Sequence, residues 1–348
     1  MTQTLWGEIV GRSWLRRAFG RRRDPDPRRI SLALQGGGAH GAFTWGVLDR
    51  LSEVDGLGFE GVSGTSAGAI NAVVFASGWL AGGAEGARTN LRDLWRGVAD
   101  AARPLRTSGV IPAALDATTQ LLSPYQLNPF GLNPLRELLV RLVDFERLRR
   151  ERSLRLFIAA TNLRTGALRL FENNGLTVDA VLASACLPSL HHAIEIDGER
   201  YWDGGYVSNP PLLPLVDRCR AREILLVRIN PAERCGLPTS ARDIRNRIGE
   251  IVFDQPLERE LELLEARCGA PAGFGPTGWR PVRHRLHVID GRETLAALDP
   301  ITKVMPDWRT LEHLRQLGHA AASAWLEPAP APPLPEAGPG IARPLPAG

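Results

Sequence analysis

An α/β fold on a single sheet is predicted by three observations. Two strand, glycine-loop and helix units occupy the first 80 residues, strand-like apolar runs alternate with helical stretches downstream, and sheet-forming runs resume as late as residue 285. In chain order, residues 1–29 form a basic arm in which eight arginines stand against Glu8, Asp24 and Asp26, for a net charge of +5. Its apolar residues are interrupted by Glu8, Gly11, Arg12, Arg16 and Arg17, which leaves no continuous export signal. On a helical wheel Leu5, Trp6, Ile9 and Val10 fall apart from Trp14, Leu15, Ala18 and Phe19. No single apolar face results, which leaves two readings: an arm whose arginines meet an anionic membrane surface, and an arm that packs its tryptophans on the protein's own core and displays the arginines to solvent.

Residues 30–35 read as a buried strand, and residues 36–41 as a tight loop. Residues 42–51 read as a helix, with Phe43, Val47, Leu48 and Leu51 near helical spacing. A second strand over 59–63 enters Gly64-Thr65-Ser66-Ala67-Gly68, and 69–75 reads as helix. Residues 77–150 read as mostly helical, broken by Pro124, Pro129 and Pro134, which gives a helical insertion at about 80–150. Strand-like runs return at 154–160, 167–171, 194–196, 224–229 and 285–289. Helical periodicity covers 244–264, with Pro256 kinking or splitting it, and 311–325. Residues 327–348 hold eight prolines in 22 positions, the composition of a disordered tail.

Composition excludes several classes. The 348 residues are 44% hydrophobic and 23% charged, with nine Trp and ten Phe, which suits a large globular domain and not a disordered or collagen-like chain. Outside the arm the net charge is about −1, so a basic nucleic-acid-binding face is not expected. Cysteines 186, 219, 235 and 268 form no C-x-x-C pair and no zinc spacing, and read as unpaired thiols in a reducing compartment. Apolar runs such as 72–76 fall short of the roughly 18 to 20 residues of a membrane span. A cytoplasmic protein follows, with peripheral contact to a membrane surface through the arm.

Three motifs carry chemistry. Gly64-Thr65-Ser66-Ala67-Gly68 is a G-x-S-x-G between a predicted strand and helix, where a strained turn projects the Ser66 hydroxyl toward the helix N-terminus. Gly36-Gly37-Gly38-Ala39-His40-Gly41 can turn successive amides toward an anion, either a phosphate or the oxyanion of an acyl-transfer intermediate. Gly36, Gly38 and Gly41 also satisfy G-x-G-x-x-G, but neither Asp55 nor Glu60 ends a strand as a dinucleotide site requires. Asp203-Gly204-Gly205 can present a carboxylate at a strand end. Taken singly, these motifs also read as a capping serine, a glycine-rich turn and a turn aspartate.

Together, and with Ala183-Ser184-Ala185-Cys186-Leu187-Pro188 between them, the motifs make the chain resemble the patatin-like phospholipases from about residue 30 to 214. The resemblance implies a three-layer α/β/α fold with a mostly parallel central sheet. It also implies hydrolysis of lipid esters through a Ser66–Asp203 dyad with no metal or cofactor. Gly36, Gly37 and Gly38 would form the oxyanion hole, with Gly41, Gly64, Gly68, Gly204 and Gly205 supporting the motifs. His40 departs from the Arg or Lys usual in the family, and a histidine packed beside the loop is expected.

The domain reading is an arm at 1–29, a catalytic domain at 30–235, a C-terminal helical region at 236–326 and a tail at 327–348. Two alternatives stay open: a non-catalytic lipid-binding protein on the same fold, and a Ser-His-Asp hydrolase using His284 or His287. Those two histidines, among Arg283 and Arg285, read as a solvated strand end, His191 and His192 as pocket or loop residues, and His313 and His319 as helix residues.

Overall fold

The computed structural model describes residues 28–107, 123–231, 236–269, 284–296, 298, 300–303 and 306–327. The expectations for residues 1–27, 328–348 and Cys235 lie outside them, as does part of the insertion, 108–122. Eight strands form one sheet among the described residues: β1 (Arg28–Leu34), β2 (Leu57–Gly64), β3 (Arg155–Asn162), β4 (Leu168–Glu172), β5 (Ile194–Ile196), β6 (Glu199–Asp203), β7 (Glu223–Arg228) and β8 (Arg285–Asp290). Each predicted run is a strand. The strand not marked as a run, β6, is Glu-Arg-Tyr-Trp-Asp, too polar to stand out from a loop.

β1, β2, β3, β7 and β8 pair in parallel, and β4, β5 and β6 join antiparallel. β1 is central, and Ile30 through Leu34 are all buried, as a strand covered on both faces must be. From β1 the chain steps to β2 and β3 through α1 (Gly41–Ser52) and α2 (Ala67–Thr107), whereas β7 and β8 add on the other side of β1. Right-handed crossovers running in opposite directions put their helices on opposite faces of the sheet. Accordingly α7 (Leu213–Arg218) and α8 (Ala241–Gly269) pack Leu215, Val216, Leu257, Leu261 and Leu264 on Ala33, Phe157, Ile224 and Leu226. The result is a three-layer α/β/α fold.

β1 is also the strand where the direction of winding reverses. In doubly wound sheets the crevice at such a point, beyond the carboxyl ends of the strands, is where ligands bind. The loops after β1 and β7 open there.

α2 is long and apolar enough by composition to cross a membrane, more than the short run at 72–76 suggested, yet 61% of its most apolar window is buried within the fold. It is also interrupted at Gly82–Gly83, where Gly83 takes φ +59°. It serves as a core helix against β1 and β2. The insertion continues as α3 (Pro124–Leu127), α4 (Pro134–Leu142) and α5 (Phe145–Arg150), and α6 (Val178–Ser184) precedes β5. Pro256 lies inside α8 without splitting it. Residues 236–326 supply the edge strand β8 as well as helices, among them α9 (Arg292–Ala296) and α10 (Trp308–Leu326). Cys186 and Cys219 are free thiols, both buried.

Candidate active site

β2 ends at Gly64, and Ser66 follows at φ +55° before α2 starts at Ala67. Such a conformation costs a non-glycine residue roughly 1–3 kcal/mol and has to be enforced by its surroundings. Three contacts enforce it. The Ser66 amide donates to Ser184 Oγ at 3.0 Å. Thr65 Oγ1 donates to the Ser208 carbonyl at 2.8 Å. Gly68 lies so close to β1 that a Cβ there would stand 2.0 Å from the Leu34 carbonyl oxygen. The Ser66 side chain is 8% exposed, at the start of a helix whose first amides favour negative charge.

Strand pairing brings Asp203 to this serine. Ile158 of β3 pairs with Gly64 on one edge and Phe171 on the other, while Ala160 pairs with Arg169 and Asp203. β2 and β6 therefore lie end to end along one edge of β3, and β6 takes up the edge where β2 turns away into the serine turn. Asp203 is fully buried. Its amide donates to the Cys186 carbonyl at 2.8 Å, its carbonyl accepts from Thr161 Oγ1 at 2.7 Å, and its Oδ1 accepts from the Gly205 amide at 2.8 Å.

Burial pushes the Asp203 carboxyl up to about 7, against the opposing pull of the Gly205 amide and the Ser66 hydroxyl. Oδ2 is buried without a well-formed hydrogen bond. The Ser66 hydroxyl is near enough to the carboxyl to oppose the effect of burial.

The glycine loop after β1 completes the site. Gly37 leads into a single 3-10 turn (Gly38–His40), and Gly38 takes φ +60°. One expectation needs correction: the Gly36 amide is not an open donor, because it donates to Asn209 Oδ1 at 2.7 Å. The amides of Gly37 and Gly38 have no protein acceptor among the described residues. They are the open donors of this loop, able to meet an anion.

His40 is buried beside the loop with Nε2 hydrogen-bonded to Thr302 Oγ1 at 2.8 Å. Gly41 abuts Ala67, Gly64 abuts Gly68, Gly204 lies on the Ala159 carbonyl, and Gly205 lies under the Phe253 ring. All ten predicted site residues therefore gather at the carboxyl ends of β1, β2 and β6.

Several contributors carried no assigned role in the sequence. Ser184 and Cys186 fix the serine turn and the aspartate main chain, which accounts for the Ala183–Pro188 stretch. Asn209 holds the glycine loop, and its Nδ2 donates to the Phe253 carbonyl at 3.0 Å, tying the loop to α8. Glu260 of α8 accepts from Ser208 Oγ at 2.7 Å and from the Leu212 and Leu213 amides at 2.7 and 3.1 Å. Burial raises its pKa. Asn230, in the loop after β7, donates to the Gly36 carbonyl.

The histidine expectation is corrected as well. His287 is no solvated strand end: it is 2% exposed, hydrogen-bonded to Glu223 at 2.7 Å and edge-on to Trp325. Glu223 opens β7, so this pair sits toward the amino ends of the parallel strands, away from Ser66. The hydrogen-bond partners of Asp203 include no histidine. His192 stacks on Tyr125 in the insertion, and His313 and His319 lie on α10.

A protein-family model described as Patatin-like phospholipase matches residues 32–216, just over half of the chain. No curated protein matches. Among solved structures, the chain is similar to VipD from Legionella pneumophila, with a TM-score of 0.42 and 16% identity over 86% of this chain and 67% of that one. It is also similar to the type III effector protein ExoU, with a TM-score of 0.35 and 18% identity over 86% of this chain and 53% of that one. A third likeness is full-length ExoU in complex with SpcU from Pseudomonas aeruginosa, with a TM-score of 0.30 and 20% identity over 70% of this chain and 53% of that one. The chain thus spans about half the length of the ExoU structures it matches.

Proposed function

The chain belongs to the patatin-like phospholipase family, and from that premise we propose that it hydrolyses the carboxylic esters of lipids with Ser66 as nucleophile and Asp203 as general base. The observation that carries this reading is the strained Ser66, at φ +55°, beside a fully buried Asp203 whose carboxyl is pushed by burial up to about 7. A base is most effective when its pKa lies near the working pH.

In the proposed reaction Asp203 takes the Ser66 proton as Oγ attacks the ester carbonyl carbon, and the carbonyl oxygen becomes an oxyanion facing the Gly37 and Gly38 amides. Collapse of this intermediate breaks the bond to the alcohol, which leaves with the proton from Asp203. Asp203 then deprotonates a water that attacks the acyl-enzyme, and its proton returns to Ser66 as the fatty acid departs. The glycine loop needs no charged residue for this, which agrees with a buried histidine at position 40. We propose further that the arginines of the arm draw the protein to anionic membrane surfaces, where such substrates lie. Labelling by a fluorophosphonate ester tests the nucleophile. The adduct is expected on Ser66, and an unlabelled Ser66 under conditions that label other serine hydrolases would reject the reading.

A further inference from the structure

We propose that Asn230 is a positioning residue that aims the Gly37 amide at the oxyanion. The inference rests on Ser66 being the nucleophile and adds a residue beyond the 32–216 stretch that the family model matches.

Three successive glycines have no side chains to fix the planes of their peptides. Here two asparagines from different segments fix them instead. The Gly36 amide is held by Asn209 Oδ1 at 2.7 Å, and the Gly36 carbonyl accepts a short bond from Asn230 Nδ2 and a much longer one, at 3.5 Å, from Asn209 Nδ2. The carbonyl of Gly36 and the amide of Gly37 belong to one planar trans peptide and point in opposite directions. Holding the carbonyl on the Asn230 side therefore turns the Gly37 N–H to the other side, where no protein acceptor meets it among the described residues. A donor at the carbonyl also polarises the same peptide and strengthens its N–H as a donor.

Asn230 is itself held rigidly. It is 4% exposed, and the amides of Ile229 and Asn230 both donate to Gln35 Oε1, at 2.7 and 3.0 Å. Gln35 Nε2 donates to Asp254 Oδ1 at 3.2 Å, and Asp254 is paired with the buried Arg228 at 3.2 Å. Gln35 immediately precedes the glycine loop, so the same side chain ties the end of β1 to the loop after β7 across the crevice. A Cβ on Gly37 would stand 3.0 Å from Asn230 Oδ1, which puts the two residues in direct contact.

The test uses the full chain with Asn230→Ala and the near-isosteric Asn230→Asp, which removes the donor but keeps the shape. Deleting an oxyanion donor outright costs about 10²–10³ in kcat, and misaiming one is expected to cost roughly 10- to 100-fold. On a soluble p-nitrophenyl ester that loss should fall on kcat, with KM changed by less than about twofold. A trifluoromethyl ketone, which forms a tetrahedral adduct, should bind more weakly by the same factor as kcat/KM falls, while the corresponding ether binds as before. Unchanged kcat, or equal losses for ketone and ether, would overturn the proposal. Failure of the serine reading shows separately, as absence of fluorophosphonate labelling in the wild type. A crystal structure of Asn230→Ala decides even then: a rotated Gly36–Gly37 peptide supports the proposal, and an unrotated one overturns it.

Discussion

A Cβ on Gly36 would stand 2.7 Å from the Cβ of Ser66 and 2.5 Å from the Thr65 carbonyl oxygen. The glycine loop and the serine turn thus meet main chain to main chain, and their close approach depends on the absence of a side chain at Gly36. Gly36→Ala should force the loop away from Ser66. A displacement of about 1 Å at a catalytic centre can cost about 10²-fold in rate, and overpacking typically costs about 1–3 kcal/mol of stability. Ester turnover and thermal unfolding of Gly36→Ala check both; unaltered kcat would separate this loop from the chemistry.

The burial of Asp203 gives a pH dependence with a defined sign. The base must be ionised to accept the Ser66 proton, so kcat/KM should rise with pH along an acid limb whose apparent pKa is near 7. The folded-state pKa is raised from the ordinary 3.8, so the neutral carboxyl's contribution to stability is fully present below that value and is lost as pH rises through about 7. Asp203→Asn should therefore be inactive yet more resistant to unfolding than the wild type at pH 8, by at most a few kcal/mol. Urea unfolding at pH 5 and pH 8 measures this, and a variant less stable than wild type at pH 8 would count against a buried, strained carboxylate.

His287 distinguishes the dyad from a histidine-based triad. Its partners are Glu223 and Trp325, so His287→Ala should lower the unfolding temperature while kcat falls by far less than the 10² to 10⁴ that loss of a general base brings. A collapse of kcat in a folded variant would restore the triad.

The contrast between Asp203 and His287 shows how much the sequence discloses. Ser66 was legible because its strain leaves a local mark: a strand, flanking glycines and a helix start within a few residues. Asp203 was legible through its two glycines, although β6 was not, since alternation of Glu, Arg, Tyr, Trp and Asp looks like a loop until β3 supplies the pairing edge. His287 misled because Arg283 and Arg285 beside it suggest solvent; His287 shares a strand face with Arg285, but Arg285 is the exposed first residue of β8, whereas His287 lies further along the strand, under Trp325 and against Glu223. Asn209 and Asn230 act on Gly36 from 173 and 194 residues away. Their role depends on which segments the sheet brings together, and no short motif encodes that. The same holds for the Gly36 amide: its place in the glycine motif suggests an open donor, and only the fold reveals Asn209 in front of it.

For the arm, vesicle co-sedimentation of the full chain should exceed that of a chain starting at Arg28. The difference should be largest with anionic lipid at low salt and should shrink as salt screens the arginines. Equal binding by both chains, or indifference to lipid charge, would remove the arm from membrane attraction.

The most direct measurement is the hydrolysis of a medium-chain p-nitrophenyl ester and of a phospholipid by the wild type, Ser66→Ala, Asp203→Asn and the double variant. The wild type should turn both substrates over and each single variant should lose that activity, with folding intact. The double variant should be about as slow as either single one, because residues acting as one unit are not additive. Substantial turnover by Ser66→Ala, or a further large drop in the double variant, would contradict a Ser66–Asp203 dyad.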